Sequence, residues 1–227
     1  MSNFFAFPTV NSWEEDVFQL TPVGIVTVVV LMAACIVLAL VLQPKEKKNK
    51  RFSTKQLTFS AMAMALAMIL SMFKMFELPM GGSVTFFSMF FITLVGYVYG
   101  LKAGLMTGFA YGLLQFVVDP VFYTVLQMIV DYPLAFGALG LSGLFCNKKW
   151  GLQIGYVVGL LGRLAFAWLS GVIFFAAYAE GTGMGPALYS LAYNGSYIAA
   201  EGIITLILIS LPPVSKAIAG IKKNMME

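Results

Sequence analysis

The stretch of residues 188–211, LYSLAYNGSYIAAEGIITLILISL, is a long apolar run that carries a single charged side chain, Glu201. A bilayer core about 30 Å thick needs about 20 apolar residues in a helix, so this stretch predicts a membrane-spanning helix. Tyr193, Tyr197 and Glu201 recur every four positions, with Asn194 beside them, and they therefore project from one helix face. Because an ionisable side chain at that depth is costly, a binding role is the first hypothesis for this face.

The composition of the whole chain is typical of an integral membrane protein. Hydrophobic residues make up 60% of the 227 residues, and charged residues only 11%. Histidine is absent, which removes the commonest metal ligand and the usual side chain for proton relay at neutral pH. Cys35 and Cys146 are far apart and lie in or beside apolar stretches, so we interpret them as packing residues.

The apolar segments predict about seven membrane spans. Residues 23–42 form a first uncharged run, and acidic residues 14–16 precede it in place of the basic start of a signal peptide, so we expect it to remain as an anchor helix. Further spans are predicted over residues 56–76, 83–100, 103–118, 121–145, 151–178 and 188–211. The sequence therefore predicts an all-α membrane protein.

Basic residues indicate the orientation of these spans. A cluster at residues 45–55 follows the first span, and alternating the sides places twelve of the fourteen basic residues on the side of that cluster. Short loops rich in Lys and Arg stay in the cytoplasm, which predicts an outer N-terminus and an inner C-terminus. An anionic-lipid or nucleic-acid patch is the alternative interpretation of the cluster.

Strongly polar side chains inside the predicted spans are few: Asp131, Arg163 and Glu201. Two carboxylates against one guanidinium leave a net negative charge, which a cationic solute would match. Two structural alternatives remain open, because Arg163 can pair with either carboxylate as a link between helices, and Asp131 can serve as a hydrogen-bonding group of the bundle.

Further polar and aromatic residues surround Asp131 in the sequence. Gln127 precedes it by one helical turn, and Pro133 removes a backbone donor just after it, which predicts a kink there. Tyr111, Gln115 and Asp119 form another stripe at intervals of four. These groups suit a flat, partly charged heterocycle, although the tyrosines are also compatible with an interfacial belt or helix packing.

Small residues four apart mark the predicted span 56–76. They are Ala61, Ala65, Ala63 and Ala67. Such spacing permits close helix contact, either within this chain or with a partner protein. The chain has no P-loop for ATP hydrolysis and no histidine for a serine or metal protease, so we expect a protein that is not an enzyme and has no cofactor.

Three motifs carry a family resemblance: YSLAYNGSY at residues 189–197 through Glu201, DYPLAFGALGLSGLF at 131–145 and SGVIF at 170–174. Over residues 55–215 the chain resembles the thiamine-specific substrate-binding subunits (S components) of energy-coupling factor transporters. The resemblance implies a six-helix bundle in a bacterial plasma membrane that captures a vitamin, most simply thiamine, near the outer face. It also implies two kinds of partner, a transmembrane coupling protein and two ATPases.

The domain organisation follows from this resemblance together with the spans. Residues 1–54 are predicted to hold an outer segment, an extra N-terminal membrane helix and a basic cytoplasmic linker. Residues 55–215 form the six-helix substrate-binding domain, and residues 216–227 a basic cytoplasmic tail.

The resemblance also assigns roles to individual residues. It implies ligand binding by Asp131, Tyr189 and Asn194, partner docking by the surface that carries Ala61 and Ala65, and a lid loop at Gly81 and Gly82. Three positions depart from the family pattern: Ala167 stands for a frequent histidine, Phe175 for a frequent tryptophan and Asp131 for a longer glutamate. The complete predicted ligand-binding set is Asp131, Tyr189, Asn194, Tyr193, Tyr197, Glu201, Trp168, Gln115 and Phe175.

Two other functions remain open from the sequence. An independent secondary carrier for an organic cation or another vitamin would couple to ions through Asp131 or Glu201. A membrane scaffold would use the same polar groups only to hold its helices together.

Overall fold

The computed structural model describes residues 6–10, 16–23, 26, 53–78 and 82–226. Nearly all of the predicted first span, 23–42, and the basic cluster up to residue 52 lie outside these residues. The predicted domain bounds, the count of seven spans and the inside-outside orientation therefore stay predictions.

Helices make up most of the described chain. They are α1 Thr54–Ser71, α2 Ser88–Tyr99, α3 Leu101–Val118, α4 Val125–Phe145, α5 Gly151–Phe174, α6 Pro186–Ser210 and α7 Pro212–Met226, with a short 3-10 helix at Ala176–Ala179. Within the described residues, α3, α4, α5 and α6 are long and apolar enough to cross a membrane, and α2 is a shorter apolar helix. The prediction of an all-helical membrane bundle is confirmed.

Glycines bring α3 and α4 into backbone contact. A Cβ atom at Gly104 would lie 2.7 Å from the carbonyl oxygen of Gly140, and one at Gly108 would lie 2.5 Å from that of Phe136. Gly112 meets the carbonyl of Tyr132 in the same way, so glycines four apart on α3 face carbonyls four apart on α4. Helices in lipid gain their association from such close packing, because lipid tails are as apolar as the side chains.

The middle of α4 departs from regular α-helical geometry. Residues Val130–Leu134 form a π-helical turn that contains Pro133, and Ala138–Phe145 tighten into a 3-10 helix. Proline lacks a backbone donor and its ring clashes with the preceding turn, which explains the widening. The predicted distortion beside Asp131 is therefore confirmed, and it displaces this carboxylate from a regular helical register.

Two predicted spans are shorter than expected because a β-hairpin lies between them. Helix α1 ends at Ser71 and α2 begins only at Ser88, while β3 Lys74–Glu77 and β4 Ser83–Thr85 pair antiparallel. Four of the five residues 72–76 are Met or Phe, so hydropathy extended the predicted span too far, past Lys74. The Leu78 amide donates to the Gly82 carbonyl at 2.7 Å, which joins the two strands at this end of the hairpin.

Both ends of the described chain carry elements that hydropathy did not predict. Strands β1 Ala6–Val10 and β2 Asp16–Leu20 form an antiparallel hairpin. The predicted basic tail belongs to helix α7, whose Ile218 is buried against the bundle. Lys222 donates to the carbonyl of Cys146, and burial lowers the pKa of this lysine. Cys146 itself is buried, as expected of a packing residue.

Candidate ligand-binding site

A cavity of about 200 Å³ opens at the end of the bundle that carries the β3–β4 hairpin. Its walls come from the hairpin, α3, α4, α5 and α6. Seven of the nine predicted binding residues line it: Asp131, Tyr189, Asn194, Tyr193, Tyr197, Gln115 and Phe175. Side chains from distant parts of the sequence therefore converge on one chamber.

Helix α6 supplies an aromatic wall. The rings of Tyr189 and Tyr193 stack with centroids 6.2 Å apart, and Tyr197 meets Tyr193 edge to face at 5.9 Å. The Tyr197 hydroxyl donates to Asn194 Oδ1 at 2.8 Å, and Asn194 Nδ2 donates to the Ala167 carbonyl at 3.3 Å. The amide thus holds Tyr197 in place and ties α6 to α5.

Asp131 contributes the carboxylate of the cavity. Gln127 Nε2 donates to Asp131 Oδ2 at 2.6 Å, which fixes the orientation of the carboxylate from one helical turn away. Asp131 takes part in none of the described ion pairs, and the Ser170 hydroxyl on α5 also interacts with its carboxylate. The charge on this side chain is therefore left to be matched by something that enters the cavity.

Arg163 lies in the same cavity but does not link helices through a carboxylate. Its guanidinium carbon sits 4.3 Å from the centroid of the Phe136 ring, a cation–π contact. Among the described residues it forms no ion pair with Asp131 or Glu201. The structure thus does not contain the interhelical ion pair that the sequence left open.

Glu201 does not line this cavity, in contrast to the prediction. It is 3% exposed, and its carboxylate accepts from the Thr85 amide at 3.2 Å, the Thr85 hydroxyl at 2.5 Å, the Ser88 hydroxyl at 3.3 Å and the Met89 amide at 3.2 Å. These donors belong to β4 and the first residues of α2. We therefore assign Glu201 a structural role, joining the hairpin and α2 to α6.

Trp168 also lies outside the cavity lining. Its side chain is at the bundle surface, 36% exposed, and its indole nitrogen donates to the Ala187 carbonyl at 2.9 Å. The neighbouring Ala167 lines the cavity instead. Phe175 packs edge to face on Tyr123 at 5.2 Å, so this wall is apolar where a tryptophan would add an indole donor.

The β3–β4 hairpin is fastened over the cavity at both strands. Directly before β4, the Gly82 amide donates to the Tyr193 hydroxyl at 2.9 Å. On β3, Lys74 Nζ pairs with Glu77 at 2.9 Å and with Asp119 of the α3 end at 3.2 Å. The hydrogen bond to Glu77 is the main cause that raises the pKa of Lys74. Gly82 lines the cavity and Gly81 lies outside the described residues, so the lid loop stays a prediction.

The alanines of α1 divide between two faces. Ala63 is 4% exposed against Val95, and Ala67 is fully buried in the core. These two face the bundle interior, so the prediction that they belong to a docking surface is wrong. Ala61 and Ala65 are exposed, and they share their face with exposed Leu57, Met62, Leu66 and Ile69.

Sequence reasoning did not select several polar residues of the cavity, among them Ser170 and Lys74. Ser170 is 1% exposed, and its hydroxyl interacts with the Asp131 carboxylate of α4. Although Ser170 begins the motif at residues 170–174, a serine inside an apolar helix does not by itself indicate a place in a binding site, because such hydroxyls usually bond to their own backbone. Lys74 was hidden because its segment was predicted to be helical.

Three comparisons with known proteins match this chain to thiamine transporters. A family model described as thiamine transporter protein (Thia_YuaJ) matches residues 57–219. The thiamine transporter ThiT of Bacillus subtilis (strain 168) is 35% identical over 166 residues, which are 67% of this chain and 84% of that protein. A solved structure of ThiT from Listeria monocytogenes superposes with a TM-score of 0.56 at 26% identity, and the match covers 70% of this chain and 94% of that chain.

Proposed function

Because this chain belongs to the thiamine transporter protein family, we propose that it captures thiamine in the cavity beneath the β3–β4 hairpin and serves as the substrate-binding subunit of an uptake system. The multi-pass helical bundle places this activity in a membrane, which we propose to be the bacterial cell membrane, with the cavity open to the outside.

The observation that carries the proposal is the Asp131 carboxylate, set without a cationic partner among the described residues in a cavity walled by tyrosines. Thiamine has two aromatic rings, and its thiazolium ring bears a permanent positive charge. Tyrosine faces attract such a ring through stacking and cation–π contacts, and the carboxylate supplies the counter-charge. The departures at Ala167 and Phe175 remove hydrogen-bonding groups from the wall, so charge and stacking have a larger share in binding.

Binding is testable directly on purified protein. We expect thiamine to raise the thermal unfolding midpoint and to change the fluorescence of Trp168, which adjoins the cavity-lining Ala167. Trp168→Phe removes the fluorescence change and keeps the thermal shift. Choline, a cation without aromatic rings, is the matched ligand control. Protein that is folded and shows no response to thiamine would refute the proposal.

Energy for uptake is proposed to come from an ATP-driven partner: a transmembrane coupling protein with two ATPases. This step rests on the family resemblance, and the exposed α1 face with Ala61 and Ala65 is its proposed docking surface, because small residues permit close approach of a second helix. Uptake into vesicles that hold this protein alone, driven by an ion gradient without ATP, would instead establish a secondary carrier.

The docking surface has its own test. Ala65→Trp is expected to abolish co-purification with the coupling protein and to leave thiamine affinity within about twofold, because a bulky ring blocks close helix contact far from the cavity. Leu161→Trp, at a position on α5 that is 58% exposed, is the control and should keep the partner. If Ala65→Trp still co-purifies with the coupling protein, the α1 face is not the docking surface.

The hairpin contact at Gly82 predicts a kinetic effect. A Cβ atom at this position would lie 2.6 Å from the Tyr193 hydroxyl and 3.0 Å from Tyr197, so Gly82→Ala pushes the hairpin away from α6. Loss of one hydrogen bond corresponds to about 1 kcal/mol, and we expect thiamine to dissociate roughly fivefold faster in stopped-flow fluorescence. Gly185→Ala, whose Cβ would meet nothing within 4 Å, should leave the rate unchanged.

A further inference from the structure

The β3–β4 hairpin and the residues that flank it expose large apolar side chains. Phe73, Met75, Phe76 and Phe86 are all exposed, and Phe76 is 69% exposed. We refer to these four residues as the apolar surface of the hairpin. Protein surfaces that face water seldom collect so many large apolar side chains in one place. This surface is therefore expected to meet a medium that is less polar than water.

The position of the hairpin along α6 gives its depth. Gly82 hydrogen-bonds to Tyr193, seven residues after Pro186 at the start of α6, and Thr85 hydrogen-bonds to Glu201, fifteen residues after Pro186. At about 1.5 Å per residue, these two attachments lie roughly 10 Å and 22 Å from that end of the helix. Because α6 has 25 residues and is long enough to cross a membrane, the Thr85 end lies close to its middle. The hairpin therefore stands beside the membrane-spanning part of α6.

The length of α2 supports the same depth. This helix has 12 residues, about 18 Å, so it crosses little more than half of a hydrocarbon core about 30 Å thick. Its first residues, Ser88 and Met89, hydrogen-bond to Glu201 near the middle of α6. The remaining thickness at this place is occupied by the hairpin, which directly precedes α2.

The polar groups of the hairpin are directed toward the protein. The Thr85 amide and hydroxyl donate to Glu201, and the Gly82 amide donates to the Tyr193 hydroxyl. Lys74, which forms two ion pairs, belongs to the cavity lining. Non-helical backbone is tolerated at membrane depth only where protein or a water-filled cavity takes up its polar groups. The hairpin meets this requirement, because its polar groups bond to the bundle while its apolar surface stays exposed.

The apolar surface also adjoins an exposed part of α6. Met75, Phe86 and Ile204 line one small crevice together. Ile204 and Ile207 are exposed on this membrane-spanning helix, where acyl chains are their neighbours. Lipid that covers these isoleucines therefore also reaches Met75 and Phe86.

From these observations we propose that the β3–β4 hairpin is embedded in the bilayer and that its apolar surface binds phospholipid acyl chains of the leaflet on the cavity side. The hairpin thus has two different sides, a polar one that contributes to the cavity and an apolar one that meets lipid. This inference goes beyond the proposed function and is independent of it, because it concerns the ligand-free protein.

Fluorescence quenching in reconstituted membranes tests the position of the hairpin. Trp13, Trp150 and Trp168 are first replaced by Phe in the full-length chain, and Phe76→Trp then supplies a single reporter on the hairpin. The vesicles contain phospholipids with bromine atoms in the middle of their acyl chains, which quench a tryptophan that they touch. Acrylamide, which stays in the water, is the second quencher. We expect strong quenching of Phe76→Trp by the bromolipids and weak quenching by acrylamide.

Two matched reporters calibrate the result. Ile207→Trp, at an exposed position on α6, is the lipid-facing control, and the bromolipids should quench Phe76→Trp about as strongly. Met184→Trp, at an exposed position before the start of α6, is the water-facing control. Acrylamide should quench it several-fold more strongly than Phe76→Trp.

Each other outcome overturns the proposal. Strong quenching of Phe76→Trp by acrylamide with weak quenching by the bromolipids would place the hairpin in water. Weak quenching by both would show that a second copy of the chain or another protein covers the apolar surface. If the tryptophan-free protein does not fold, wild type decides: a phospholipid with a diazirine in its acyl chain should photo-label residues 72–76 about as strongly as residues 203–208, and no label at 72–76 refutes lipid contact. Thiamine binding can succeed or fail without changing these outcomes, so the two proposals are tested separately.

Discussion

Replacement of Asp131 by asparagine is expected to weaken thiamine binding by about 2 to 4 kcal/mol, the range for removing one partner of a buried charge pair. Asparagine has nearly the same shape, and its side-chain oxygen still accepts the hydrogen bond that Gln127 Nε2 donates to Asp131 at 2.6 Å. The substitution therefore removes the charge and keeps the local packing. Isothermal titration of thiamine against both proteins measures the difference.

Two further variants test whether the carboxylate must be at position 131 or whether any negative charge at the cavity supports binding. Asp119→Asn also removes a carboxylate at the cavity, but this side chain is 62% exposed and pairs with Lys74, so affinity should change by less than about 0.5 kcal/mol. Asp131→Glu keeps the charge, and it should keep most of the affinity. Unchanged thiamine affinity in Asp131→Asn would show that this residue does not bind the ligand. An equal loss of affinity in Asp119→Asn would show that the total negative charge of the cavity matters and the position of the carboxylate does not.

The apolar spans were predictable because a bilayer imposes a single requirement, a continuous apolar helix of sufficient length. The ends of α3 and α6 agree with the predicted spans to within two residues. The prediction fails at residues 72–76 for a physical reason, since hydropathy does not show whether an apolar segment continues a helix or enters a hairpin. Gly81 and Gly82, just after Pro79, were the signal that distinguished the two.

The candidate site was predictable in part for a different reason. Periodicity of four on one helix is a local property, and it placed Tyr193, Tyr197 and Asn194 on a common wall. The residues that a polar side chain contacts on other helices cannot be deduced from spacing along its own helix. Glu201 shares the register of those tyrosines, yet its partners Thr85 and Met89 lie more than 100 residues away in the chain, and no spacing rule connects them.

Charge balance inside the bundle depends on such distant contacts. The sequence alone gave an interior with two carboxylates and one guanidinium, which favoured a simple cation. With Glu201 saturated by protein donors, Asp131 and Arg163 remain as one charge of each sign. A single misassigned carboxylate thus changed the balance of charge that the sequence predicted for the interior of the bundle.

Replacement of Glu201 by alanine is expected to lower the free energy of unfolding by about 3 to 4 kcal/mol, even without ligand. The amides of Thr85 and Met89 lose their acceptor inside a site where Glu201 is 3% exposed, and each unsatisfied buried donor costs about 1 to 3 kcal/mol. The hydroxyls of Thr85 and Ser88 lose less, because they already bond to each other at 2.7 Å. The carboxylate also stabilises the positive N-terminus of α2, and this contribution disappears too.

Thermal unfolding of purified protein measures the loss, and Glu180→Ala is the control, because Glu180 is exposed in the loop before α6 and should leave the midpoint unchanged. Two interpretations of Glu201 then predict different results. If Glu201 binds the ligand, Glu201→Ala should lower thiamine affinity and leave the stability of the ligand-free protein unchanged. If Glu201 anchors β4 to α6, Glu201→Ala should lower that stability and also speed thiamine dissociation, because the hairpin over the cavity loses its attachment at Thr85. A ligand-free midpoint equal to that of wild type would return Glu201 to the candidate binding residues.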